Sequence, residues 1–146
     1  MKILVINGPN LNMLGKRDSS QYGTETLAQI EENVRKKAAD LGVEVSFFQS
    51  NHEGAIIDRL QSDAGASDCI VINAGAFTHF SYAIRDAIAD TKLPFIEVHL
   101  SNVHEREEFR HKSVFEGLAA EVIVGHRGKG YIMALERLVK LLSKKD

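Results

Sequence analysis

The chain has 146 residues, the size of one domain, and at that length roughly 68–70% of the unfolded surface can be buried without disulfide or metal staples. Its hydrophobic fraction of 44% and charged fraction of 26% are those of an ordinary water-soluble globule. Against 20 Asp and Glu it carries 18 Lys and Arg, a formal charge of −2, which excludes the basic footprint of a nucleic-acid binder.

The first apolar run, residues 3–7, predicts a strand. It is too short for the apolar stretch of a signal sequence or for a membrane span, so a mature cytoplasmic chain is expected. The run passes into Asn7-Gly8-Pro9-Asn10-Leu11-Asn12-Met13-Leu14-Gly15-Lys16-Arg17 and on to Tyr22-Gly23. A connection this long is either functional or a decorated surface loop. Its asparagines and Pro9 argue for a fixed loop held by amide hydrogen bonds, whereas Asp18-Ser19-Ser20-Gln21 reads as mobile. Leu27, Ile30, Val34, Ala38 and Leu41 then recur at helical spacing, and Gly42 follows where a C-cap belongs.

A strand over residues 43–49 alternates, with Glu44 and Ser46 opposite Val43, Val45 and Phe47, and is expected at a sheet edge. Ile56, Ile57 and Leu60 mark a second helix. The third strand, Cys69–Asn73, holds the chain's one cysteine in an apolar run, which predicts a core thiol in a reducing compartment rather than a nucleophile. Asn73-Ala74-Gly75-Ala76-Phe77-Thr78-His79 follows. Its small residues let backbone and ligand approach closely, while His79 by itself suits a packing or capping role equally well. Ser81 is the expected N-cap of a third helix marked by Ala83, Ile84, Ala87 and Ile88.

The fourth strand, Phe95–His99, carries Glu97 and His99 two residues apart and therefore on one face. Burying two titratable groups unpaired is costly. A carboxylate beside an imidazole orients it and favours its protonated form, as a general acid requires. A purely structural Glu–His hydrogen bond satisfies the same pattern. Residues 105–110 read as a short polar turn of helix, mostly solvated, with an arginine able to bind an anion. A fifth run over 121–125 leads through Gly125-His126-Arg127-Gly128-Lys129-Gly130, a tight turn, into a helix over 131–142, with Lys144-Lys145 a solvated helix end.

Four of the runs are nearly continuous Val, Ile, Leu and Phe, the pattern of strands covered on both faces of a parallel sheet. Their alternation with helices predicts one α/β domain over residues 1–146, a flavodoxin-like, doubly wound, five-stranded parallel sheet in the order 2-1-3-4-5. In such sheets ligands bind beyond the carboxyl ends of the strands. No dinucleotide or P-loop glycine pattern is present. Pro9 and its neighbouring asparagines suit a flavin phosphate loop poorly, and Asn7 and Asn73 stand where a phosphoacceptor receiver carries acids. With no H-E-x-x-H, no cysteine pair and six histidines spread over separate loops, neither metal nor organic cofactor is expected.

Several stretches recur in order across nearly the whole chain: N-G-P-N-L-N-M-L-G-K-R at 7–17, Y-G at 22–23, Q-S-N-H-E-G at 49–54, N-A-G-A-F-T-H at 73–79, A-I-R-D-A at 83–87, I-E-V-H-L-S-N-V-H-E-R-E-E-F-R-H at 96–111 and G-K-G-Y at 128–131. Together they resemble the type II 3-dehydroquinate dehydratases (type II dehydroquinases). The resemblance implies a cofactor-free hydro-lyase of the shikimate pathway of aromatic amino-acid biosynthesis. Its reaction is an anti elimination from 3-dehydroquinate to 3-dehydroshikimate through an enolate. By this resemblance Tyr22 is the base that removes a proton alpha to the ketone, assisted by Arg17, with Asn10 near the developing oxyanion. His99 then protonates the departing hydroxyl and is oriented by Glu97. Asn73, His79 and Arg110 bind ring hydroxyls, and the Leu100 and Ser101 backbone amides with the Ser101 hydroxyl hold the carboxylate. Members commonly form dodecamers of four trimers, so a homododecamer is expected, with Asp86 supporting a neighbouring subunit's site and no nucleic-acid or membrane partner.

A tyrosine base makes a physical demand. Phenols titrate near 10, and working near pH 7 takes about 4 kcal/mol, which burial opposes. One guanidinium at about 4 Å, at an effective dielectric of 20, supplies roughly 4 kcal/mol. Arg17, on the same loop as Tyr22, is the expected source. Two departures from the family pattern stand out. Asp18-Ser19 replaces a frequent Glu-Pro, which is expected to loosen the lid, and His126-Arg127 replaces a more apolar pair. A non-catalytic binding module of the same fold is expected to have lost Tyr22, Arg17 or His99, and all three are present. A different hydroxy-ketone acid as substrate stays open.

Overall fold

Five parallel strands form one sheet in the order β2-β1-β3-β4-β5, as the alternation of apolar runs and helical periods predicts. The computed structural model describes residues 1–63 and 65–144. The strands are β1 (Lys2–Asn7), β2 (Glu44–Gln49), β3 (Cys69–Asn73), β4 (Phe95–His99) and β5 (Glu121–Val124). Along β1, Ile3 and Val5 join one core layer while Leu4 and Ile6 join the other. A strand covered on both faces needs apolar side chains at successive positions, which is why the run is unbroken. On the Ile3–Val5 side the layer is completed by α2 (Leu27–Leu41) and α5 (Lys129–Ser143), through Val34, Ala38, Ala134, Leu135 and Leu138. On the opposite side α3 (Glu53–Asp63) and α4 (Tyr82–Thr91) contribute Ile56, Leu60, Ile84 and Ile88.

β2 lies at an edge, as its alternation predicts. β5 does not match the expectation of cover on both faces. Ile123 is buried in the α2–α5 layer, but Val122 is 46% exposed, because β5 is the other edge and the face carrying Val122 is open to solvent. Cys69 is buried in that same layer, and burial pushes its thiol up to about 12, which suits a core residue. No helix among the described residues is long and apolar enough to cross a membrane.

The helix ends obey local chemistry. At the start of α2 the Thr26 hydroxyl accepts from the Gln29 amide at 3.1 Å and the Gln29 side chain accepts from the Thr26 amide at 2.9 Å, a reciprocal cap worth about 1 kcal/mol. Gly42 closes α2 in the left-handed conformation, φ 70°. Ser81 caps α4 by accepting from the Ile84 amide at 3.1 Å, and its hydroxyl also donates to the Glu53 carboxylate, tying the starts of α3 and α4 together.

Two loop expectations change. Residues 18–21 are not irregular: Asp18 accepts from the Ser20 amide at 2.9 Å and its hydroxyl at 2.6 Å, initiating the helical turn α1 (Ser19–Tyr22). Residues 105–110 are not one helical turn. Extended backbone at Arg106 and Glu107 separates two 3-10 turns, Val103–Glu105 and Glu108–Arg110. The final helix begins at Lys129, and Lys144 is exposed at its end, while Lys145 lies outside the described residues. Register aligns Asn7 with both Gln49 and Asn73, Glu97 with Ile72, and His99 with Val124. The carboxyl ends of the strands therefore finish along one side of the sheet, where the three long motifs meet.

Candidate active site

Two motifs build the first wall of the cleft by bracing each other. Gly8 is required where the loops after β1 and β3 cross, since a Cβ there would lie 2.3 Å from the Ala74 carbonyl oxygen. The Gly8 amide instead donates to the Asn73 carbonyl at 2.7 Å. Gln49 Nε2 donates to the Gly8 carbonyl at 3.2 Å and to Asn51 Oδ1 at 3.2 Å. Asn51 Oδ1 in turn accepts from the backbone amide of Asn10 at 2.9 Å, which holds Asn10 in the left-handed region, φ 70°. The expected amide-held loop is present, and the Q-S-N stretch supplies the amides from another strand. Leu11 and Leu14 anchor it in the core.

From this anchored loop Arg17 and the capped turn α1 carry Tyr22 over the cleft. Tyr22 is half-buried against the α2–α5 core layer. The Arg17 guanidinium carbon stands 3.8 Å from the Tyr22 ring centroid, a cation–π arrangement on the ring face. A second guanidinium, not nominated from sequence, reaches the oxygen: Arg106 Nη1 donates to Tyr22 Oη at 2.9 Å and to Ser101 Oγ at 3.3 Å. The Arg106 side chain is only 12% exposed, and the Glu107 carboxylate is 3.9 Å from its Nε. From sequence an unspecified arginine of this segment is expected to bind an anion, and the resemblance gives Arg110 to the ring hydroxyls. The R-E-E-F-R spacing was visible, yet nothing local says which guanidinium meets a tyrosine 84 residues away.

The opposite wall comes from β4 and the turn after β3. Glu97 Oε2 accepts from His99 Nε2 at 2.5 Å, while its Oε1 accepts from the Ser113 hydroxyl at 2.9 Å, so this buried carboxylate is satisfied at both oxygens. Arg85, on α4, supports the Ser113 segment by donating to the Val114 and Glu116 carbonyls. The His79 ring lies parallel to that of His99, 6.4 Å away at 16°. His79 Nδ1 donates to the Lys112 carbonyl at 2.7 Å, leaving Nε2 free to accept. Burial pushes His79 below the ordinary histidine range, His99 and Arg110 act in the same direction, and the Lys112 carbonyl and Glu97 oppose them. Arg110 is steered by a 2.7 Å bond to Glu107 Oε2 and lies over the Phe109 ring.

Of the residues nominated from sequence, Asn10, Arg17, Tyr22, Asn73, His79, His99, Leu100, Ser101 and Arg110 all line this one cleft. Glu97 stands behind His99 rather than in the wall. Asp86 is outside the cleft, exposed on α4. Among the described residues three arginines line the cleft and no carboxylate does, in a chain whose net charge is negative. That local field suits a small anionic ligand. Among the described residues no three of His, Cys, Asp or Glu converge as metal ligands. Of the polar pair His126-Arg127, the arginine has a structural account. Arg127 adopts φ 52°, its amide donates to the Leu100 carbonyl at 3.1 Å, and its stem packs over Gly23, immediately after Tyr22.

Comparison with known proteins identifies the family. The family described as dehydroquinase class II matches residues 1–139. The 3-dehydroquinate dehydratase of Bacillus cereus (strain AH187) is 52% identical over 141 residues, covering 97% of each chain, and that of Bacillus mycoides (strain KBAB4) is 53% identical over the same span. The crystal structure of a type II dehydroquinase from Butyrivibrio crossotus superposes with a TM-score of 0.92 at 54% identity, covering 94% of this chain and 97% of that one. The family match over residues 1–139, the identity to these relatives and the shared fold together show that the chain belongs to the class II dehydroquinase family.

Proposed function

We propose that this chain, acting as one catalytic domain over residues 1–146, dehydrates 3-dehydroquinate to 3-dehydroshikimate, a hydro-lyase step of the shikimate pathway. The observation that carries the reading is a single cleft with a guanidinium-flanked phenol on one wall and a carboxylate-backed imidazole on the other. Elimination of water from a hydroxy-ketone needs a base for the alpha proton and an acid for the leaving hydroxyl. Tyr22, as phenolate, takes the proton. The resulting enolate oxygen develops beside Asn10, and His99 delivers a proton to the departing hydroxyl while Glu97 holds the imidazole in place. Because Arg106 occupies a lone pair of Ser101 Oγ, that hydroxyl keeps its proton for the substrate carboxylate, alongside the Leu100 and Ser101 amides. His79, with Nδ1 committed to Lys112, accepts from a ring hydroxyl, and Asn73 and Arg110 complete the ring contacts.

Mixing the protein with 3-dehydroquinate and following the ultraviolet absorbance of the conjugated enone tests this directly. Absorbance is expected to grow at the same rate with and without EDTA. No enone from folded protein would reject the assignment, and activity lost to EDTA and restored by a divalent ion would reject the cofactor-free mechanism. The reading places the reaction in the cytoplasm, where a lone thiol such as Cys69 persists reduced.

The same reading extends to a homododecamer in which Asp86 serves a neighbouring site. Asp86 and Tyr82 are four apart on α4 and so share a face, and Tyr82 and the adjacent Phe80 are 63% and 57% exposed. Apolar surface of that kind next to a free carboxylate suits burial by a second copy. Asp86→Ala is expected to lower kcat/KM by about tenfold without altering its own subunit's cleft, read by the enone assay together with mass by light scattering. A fully active wild-type monomer would contradict the assembly.

A further inference from the structure

We propose that Tyr131 is a positioning residue for Asn73, fixing from the core side which end of its side-chain amide meets the substrate; the proposal rests on the assignment of Asn73 to the site. The G-K-G-Y stretch has no role in the chemistry above, yet its tyrosine is fully buried in the first turn of α5. Tyr131 Oη accepts from Asn73 Nδ2 at 3.0 Å and donates to Asn7 Oδ1 at 2.5 Å, bridging the carboxyl ends of β3 and β1. Asn73 Oδ1 accepts from the Gly75 amide at 3.1 Å.

The Gly75 bond admits one arrangement of the Asn73 amide. An asparagine amide offers an acceptor at one end and donors at the other, and the two are assigned by their partners. The Gly75 N–H demands an acceptor, so Oδ1 must face it and Nδ2 must face Tyr131. The Tyr131 hydroxyl then accepts from Asn73 and gives its own proton to Asn7 Oδ1, the Asn7 Nδ2 being buried without a partner among the described residues. Burial pushes the Tyr131 phenol above its ordinary range, so the hydroxyl retains that proton and the direction of the relay is set. One N–H of Asn73 Nδ2 remains, and Asn73 lines the cleft. That remaining N–H is the donor Asn73 can offer to a substrate oxygen. Gly130 makes the relay reachable: a Cβ there would stand 3.1 Å from Val98 Cγ1, so glycine lets the first turn of α5 press against β4 and seat the phenol between the strand ends.

A core tyrosine that only fills space would alter stability and leave substrate affinity alone. The discriminating experiment measures KM, kcat and thermal midpoint for Tyr131→Phe, Asn73→Ala and the double variant in the enone assay. Tyr131→Phe is expected to raise KM about fivefold, the size of one neutral hydrogen bond, with kcat changed less. In the Asn73→Ala background the same substitution should lower the thermal midpoint but leave KM where Asn73→Ala alone put it. A wild-type KM in folded Tyr131→Phe, or KM increases that multiply in the double variant, overturns the relay while Asn73 keeps its role. An Asn73→Ala enzyme with unchanged KM removes Asn73 from the site and the relay with it. Should Tyr131→Phe not fold, Asn7→Ala perturbs the relay from outside the cleft. It is expected to raise KM about twofold and, again, only when Asn73 is present.

Discussion

Tyr22→Phe is expected to lower kcat by roughly 10²–10⁴-fold, the range over which a positioned proton-transfer group contributes, while KM and the thermal midpoint stay near wild type. The substitution deletes one atom. The ring keeps its packing against the α2–α5 layer and its place under the Arg17 guanidinium. The lost oxygen bonds only to Arg106 among the described residues, at a half-buried position where such a bond adds little to stability. Initial rates from the enone absorbance, with circular dichroism as the control for folding, separate chemistry from structure. A folded variant whose kcat falls less than tenfold would remove Tyr22 from the role of base.

Arg106→Ala is expected to cost more than Arg17→Ala, and to cost it differently. Sequence alone pointed to Arg17 as the cation serving Tyr22. The structure divides the task, with Arg17 on the ring face at 3.8 Å and Arg106 on the oxygen at 2.9 Å. A cation over an aromatic face is worth about 0.5–2 kcal/mol. A guanidinium beside the atom that bears the negative charge is worth roughly 4 kcal/mol at an effective dielectric of 20. Arg106→Ala should therefore reduce kcat by about 10²–10³-fold at neutral pH, and Arg17→Ala by about 3–30-fold. An ordinary phenol titrates near 10, so a base stripped of its cation regains anion about tenfold per pH unit. The kcat of Arg106→Ala should climb along that slope as pH rises, until another group fails. The relevant parameter is kcat rather than kcat/KM, because Arg106 also holds Ser101 and its loss disturbs the carboxylate subsite. Deficits that stay constant from pH 7 to the alkaline limit, in folded protein, would make both arginines positional. A steep recovery in Arg17→Ala alone would return the electrostatic role to Arg17.

Much of the molecule was legible in the one-dimensional pattern, for reasons that are local. Strands covered on both faces must be apolar at successive positions, so β1 and β3 read as apolar runs and β4 as one broken only by Glu97 and His99, and the alternation of β2 placed it at an edge. Two residues on one strand face are neighbours in any fold, so Glu97 and His99 were bound to meet, and they do at 2.5 Å. Caps obey short-range rules, which is why Ser81 and Gly42 stand where their neighbours required them. The turn at Ser19–Tyr22 was not legible although its cause is just as local, because Asp18-Ser19-Ser20 suits an irregular loop and a helix N-terminus alike. What sequence left open was which distant partners the strand ends bring together. The exposure of Val122 follows from β5 having only one covered face, a property of sheet order rather than of its residues. Arg106 reaches Tyr22 across 84 residues, and Tyr131 reaches Asn7 across 124, because the crossovers place those loops at one end of the sheet. Residue type and spacing determined the strands, the helices and the chemistry available. Only tertiary packing decided which guanidinium sits on the phenol oxygen and which tyrosine holds the amide, since hydrogen bonds act over about 3 Å and carry no memory of sequence distance.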